Sequence, residues 1–116
     1  MDARVLAEWL ADSEPEMVVR LVADWIDKAV RHGLEVDVAP PLDGRPHIDA
    51  LVAAAVEYAA DRRGEPHPAW TVDPRRESPT FWHPGTPSLL ANALVHAPAV
   101  FAIRGLLIEE DSLQCV

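Results

Sequence analysis

The chain has 116 residues, 49% of them hydrophobic and 25% charged, which is enough for one domain with a real core. A formal net charge of −9 repels a phosphate backbone and argues against direct nucleic-acid binding, while fitting a basic protein partner. Cys115 is the only cysteine, so an intramolecular disulfide and a cysteine-based zinc site are both excluded.

Residues 2–11 read as a short amphipathic helix with Val5, Leu6, Trp9 and Leu10 on one side. Ser13 and Glu16 have capping-box spacing for a second helix, with Pro15 in its first turn. That helix runs to about His32. Met17, Val18, Leu21, Val22, Trp25, Ile26 and Val30 recur three and four apart, and Gly33 ends it. Leu34 to Arg45 holds Pro40, Pro41 and Gly44 and has no room for a helix, although Val36 and Val38 allow a short extended piece.

The organising element is predicted from about Pro46 to Arg63. Pro46 suits a first helical position, Asp49 meets the positive end of the helix dipole, and Gly64 can take the left-handed conformation past the end. Residues 50–56 are all apolar and mostly alanine. A helix apolar nearly all round is a buried central one, and its small side chains let neighbours come close.

Gly64 to Gly85 carries Pro66, Pro68, Pro74, Pro79 and Pro84. A loop of this length must be tied down, and Trp70, Phe81 and Trp82 are the candidate anchors. Asp73-Pro74 can open one helical turn. Thr86-Pro87 starts a further helix through Leu89, Leu90, Ala93 and Leu94, which Pro98 interrupts. Val100, Phe101 and Ile103 form another short helix closed by Gly105. Glu109, Glu110 and Asp111 place three negative charges where a last turn would begin. The fold expected is all-α, a single helical domain over residues 1–116.

Little catalytic chemistry is legible. The histidines, His32, His47, His67, His83 and His96, lack metal-ligand spacing. No serine has a nucleophile-elbow setting, and the five glycines are too scattered for a phosphate loop. The expectation is therefore no enzyme, no cofactor and no metal. Without a signal peptide pattern or a membrane-length apolar run, a cytoplasmic location is expected. The basic group Arg62, Arg63, Arg75 and Arg76 could hold a carboxylate or phosphate, or pair with Asp61, Glu65, Asp73 and Glu77.

Six segments taken together resemble a known family. They are Ala39-Pro-Pro-Leu-Asp-Gly44, the Ile48–Ala60 helix, Pro66-His-Pro-Ala-Trp70, Phe81-Trp82, Leu90–Phe101 and Arg104–Leu113. The series resembles the C-terminal region of actinobacterial helix-turn-helix regulators. Those are encoded beside toxin-like nucleotidyltransferases or PIN-type nucleases and are taken as antitoxins. The resemblance spans roughly residues 17–116. Only about sixteen residues precede it, so the helix-turn-helix and its DNA binding are not carried over. Ile103 also stands where the family often has a basic residue.

What the resemblance implies is a non-enzymatic protein that neutralises a cognate, basic toxin through protein–protein interaction. The candidate partner-binding residues are Glu14, Glu16, Asp24, Asp27, Glu109, Glu110 and Asp111, with Trp70 and Trp82 as anchors. The competing expectation is a homo-oligomeric regulatory or assembly domain, a homodimer for example, using the Trp25 face as its interface.

Overall fold

The alanine-rich helix lies at the centre, as its composition requires. A computed structural model of the chain describes residues 1–78, 80, 82, 83 and 96–113. The expected anchor Phe81, the helix expected from Thr86 to Leu94, and Cys115 fall outside the described residues.

Four α-helices are described: α1 (Ala3–Ala11), α2 (Val18–His32), α3 (Pro46–Arg63) and α4 (Ala99–Ala102). The described residues contain isolated β-bridges, Asp2 with Glu35 and Trp82 with Leu106, and no strand. The domain is all-α. No helix among the described residues is long and apolar enough to cross a membrane.

On α3, every residue from Ile48 to Ala60 is buried. Alanine at positions 53, 54 and 55 keeps the helix thin, so α1, α2 and α4 can all pack on it. Gly64 terminates it at φ 68°, and the Glu65 N–H reaches back 2.9 Å to the Ala60 carbonyl. A side chain at that φ would be strained, which is why glycine stands there.

Helix α1 buries Ala3, Leu6 and Leu10, spaced three and four apart. The Asp2 carboxylate caps it by accepting from the Arg4 N–H at 2.8 Å. Helix α2 buries Val18, Val22, Trp25, Ile26 and Ala29. Trp25 is fully buried inside the chain, and its indole donates to the Asp2 carbonyl at 3.1 Å. The Trp25 face is therefore core, not an interface waiting for a second copy.

One local reading is corrected. Ser13 caps nothing on α2. Its hydroxyl donates back to the Leu10 carbonyl at 3.1 Å, closing the end of α1. A separate 3₁₀ turn, Pro15–Met17, intervenes before α2 begins. Glu14, not Ser13, stands at the cap position of that turn, so the spacing alone misled.

Helix ends meet through arginines. Arg45 Nη2, at the start of α3, donates to the Leu10 carbonyl at the end of α1 (3.0 Å). Arg63 Nη1, at the end of α3, donates to the Val30 carbonyl near the end of α2 (2.8 Å). So α2 and α3 end together, and α1 runs against both. The segment from Gly33 to Gly44 crosses back along the bundle, which explains why it is extended and rich in proline.

The later chain wraps α3 in short pieces. These are 3₁₀ turns at Ala69–Val72 and Pro74–Arg76, then α4, then a 3₁₀ turn at Glu110–Leu113 that lies against α2. Asp73 caps the Pro74–Arg76 turn, accepting from the Arg75 N–H at 2.9 Å. Phe101 from α4 is fully buried and meets the Tyr58 ring edge-on at 5.9 Å. Leu113 returns the chain to the core.

Candidate partner-binding surface

Two acids interrupt the apolar surface of α3, and each is held by an arginine from the later chain. Glu57 Oε1 accepts from Arg104 Nη1 at 2.6 Å, with both side chains buried. Glu57 Oε2 accepts from the Thr71 hydroxyl at 2.8 Å and lies 3.3 Å from His67 Nδ1. Arg104 Nη2 closes the group on the Thr71 carbonyl at 3.0 Å. His67 Nε2 in turn meets Asp61 at 2.7 Å.

The second acid, Asp49, accepts from the Asp43 N–H at 2.7 Å and lies 3.9 Å from Arg76 Nη1. Arg76 Nη2 donates to the Pro40 carbonyl, and its guanidinium covers the Trp70 ring at 5.0 Å. Burial pushes the Arg76 guanidinium below its ordinary value, against the opposing pull of Asp49 and Asp73. Both groups fasten the proline-rich segment to α3.

Trp70 and Trp82 belong to the same fastening. Each is half-buried. Trp70 donates from its indole to the Val36 carbonyl at 2.7 Å. Trp82 stacks on His47 at 5.4 Å, and its backbone pairs with Gly105 and Leu107. Burial lowers the His47 imidazole, with the Arg45 charge acting in the same direction. Both tryptophans are thus loop ties in this chain, with only part of each ring open to solvent.

The candidate acids divide into two sorts. Asp24 pairs with Lys28 at 2.7 Å and Asp27 with Arg31 at 3.2 Å, both one turn along α2. Glu14 and Glu16 lie exposed at the corner between α1 and α2. The Glu16 carboxyl is held below its ordinary value by its own backbone N–H first and by the Glu14 side chain second. Those two carboxyls therefore face one another. Glu110 accepts from the Tyr58 hydroxyl at 3.2 Å, and burial followed by the Glu110 charge pushes that hydroxyl up. Glu109 is half-buried, and Asp111 is described through its backbone alone. The C-terminal turn rests on α2, the helix bearing Asp24 and Asp27.

Among the described residues, eight of the ten Lys/Arg side chains lie within 4.0 Å of an acid, each with a different carboxylate. The basic group suspected around Arg62 and Arg75 is dispersed in this way. Arg63 pairs with Glu65, Arg75 with Asp73 and Arg76 with Asp49, while Arg62 donates to the Tyr58 hydroxyl. Those eight pairs cancel, so the net charge of −9 rests on the acids outside them, less Arg20 and Arg62. Four of those acids, Glu8, Asp12, Glu14 and Glu16, fall within nine residues and are all exposed.

Beside this acidic stretch runs a groove of about 400 Å³ between α1 and the crossing segment. Arg4, Ala7, Glu8 and Ala11 line it from α1, and Pro41, Leu42 and Asp43 from the crossing segment. The sequence reading passed over Glu8, Asp12 and this groove. The available signal was Ala7 and Ala11, four apart on α1, which leave a shallow stripe between larger neighbours. Smaller hollows of about 260 and 230 Å³ lie beside Arg76 and beside His67. Among the described residues, no three His, Cys, Asp or Glu side chains are placed to share a metal ion.

No family model, curated protein or solved structure matches the chain.

Proposed function

We propose that this protein is an antitoxin-like binding module that docks a basic protein and blocks its active site or substrate entry. One observation carries the reading. Eight cations are held in pairs with other acids, so the four exposed acids Glu8, Asp12, Glu14 and Glu16 outnumber the exposed Arg20, four residues beyond Glu16, and leave this corner acidic. An uncompensated patch of one sign steers an oppositely charged partner and fixes its orientation. A toxin acting on RNA or nucleotides needs a positive substrate cleft, and such a cleft is the complement of this corner. The resemblance of six segments to antitoxin regions points the same way.

The test is a pull-down from the native cell with the gene neighbour co-expressed. Recovery of a basic nucleotidyltransferase or nuclease, inactive in the complex, supports the reading. Paired charge reversal, Glu14→Lys with Glu16→Lys, should weaken that complex and flatten its salt dependence. Recovery of the protein alone as a stable dimer would overturn the reading in favour of a homo-oligomeric assembly domain.

A further inference from the structure

Building on that acidic docking corner, we infer that the groove between α1 and Pro41-Leu42 seats an apolar side chain from a basic segment of the partner. The groove holds about 400 Å³, within the range of about 300–1,000 Å³ typical of ligand-binding clefts. Four of its lining residues are apolar: Ala7, Ala11, Pro41 and Leu42. Leu42 is 39% exposed, an apolar side chain left open to solvent.

Charge identifies the occupant. Arg4 on the rim is neutralised by Asp2 through a two-pronged pair, with Nη2 to Oδ2 at 2.6 Å. Asp43 at the far end is neutralised by Arg45 at 2.6 Å. Arg4 already has Asp2, so the Glu8 charge that also acts on it is left in excess. Asp12 follows four residues later, and Glu14 and Glu16 add two more exposed acids close by in the chain. An apolar slot with an excess of acid beside it fits a segment with one or two large apolar residues flanked by Lys or Arg. The apolar residue supplies burial, and the basic flanks set register along α1.

The test uses the full chain, labelled with nitrogen-15, and two synthetic basic peptides of about 15 residues. One carries leucines four apart among Lys and Arg; in the other, serine replaces each leucine. The leucine peptide should bind about tenfold tighter, the scale expected for burying one such side chain. It should shift the amides of Ala7, Ala11 and Leu42. Ala11→Phe fills the groove from an exposed position and should erase that tenfold difference. Glu8→Lys should weaken both peptides.

Equal binding of the two peptides, with shifts confined to Glu14 and Glu16, overturns the groove and leaves the acidic corner standing. A leucine preference that survives Ala11→Phe also overturns the groove. Failure of both peptides to bind at low salt overturns the groove and the acidic corner together.

Discussion

Glu57 and Glu16 are the same functional group in opposite surroundings. Glu57 sits in the wall of α3 with alanines on either side, buried, and is met by a guanidinium, a hydroxyl and an imidazole. Glu16 sits on the α1–α2 corner, exposed, and faces another carboxyl. A buried carboxylate without a cation costs far more than one in water, so Glu57 and Asp49 each require an arginine from distant chain. The two inward pairs are neutral, so the net charge of −9 is carried outside them. The interior charges fix the topology, and the exterior charges are free to meet something else.

The largest expected effect breaks the interior side of that comparison. Glu57→Ala leaves Arg104 buried and unpaired. It should cost about 3–5 kcal/mol, or roughly 10–20 °C in melting temperature for a domain of this size. Thermal denaturation followed by circular dichroism checks this. Replacing both members, Glu57→Met with Arg104→Met, should restore most of the loss, because no lone charge remains. If the double variant is no better than the single one, the pair contributes more than mutual neutralisation. Glu16→Gln, the same chemistry outside, should leave the melting curve unchanged within error.

The next effect concerns what surrounds Glu57. Ala54 is fully buried where the neighbouring helices close on α3. Ala54→Leu adds volume where none is free and should cost about 1–3 kcal/mol, read from the urea midpoint. Smaller still, Gly64→Ala places a β-carbon at φ 68° and should cost about 1 kcal/mol, with no loss of helix content.

These contrasts show how far the sequence could be read. Helix α3 was legible because its evidence is local: Pro46 at the start, Gly64 at the end, apolar residues between. The Asp73-Pro74 turn was legible for the same reason. The Glu57–Arg104 pair was not, because its partners lie 47 residues apart and nothing in their neighbours names one another. A clue existed. A lone glutamate inside a run of buried alanines must find a cation, and Arg104 stands in an equally apolar stretch before Leu106. Ser13 failed in the opposite way, since a correct local pattern served the helix before it. The groove was illegible because it forms between α1 and a segment some thirty residues later, brought there by the Arg45 tie to Leu10.

The smallest expected effect fills the gap between the two extremes: an acid that is exposed yet paired. Asp73 is lowered to about 2, chiefly by the Arg75 side chain and then by the Arg75 backbone N–H. Its folded value lies below the ordinary 3.8, so its stabilising effect is fully present above about pH 3.8. That effect is lost as pH falls through about 2, where the folded form takes up its proton. Arg75→Ala removes the first cause and leaves the cap's backbone donor in place. The Asp73 carboxyl should then titrate higher, while remaining below 3.8. A carbon-13 carboxyl titration by NMR reads this directly. Added salt should raise the wild-type midpoint too, because an exposed pair is screened. A midpoint unmoved by either change would mean that the backbone cap alone holds Asp73, and that pairing with arginine matters in this protein only where water is excluded.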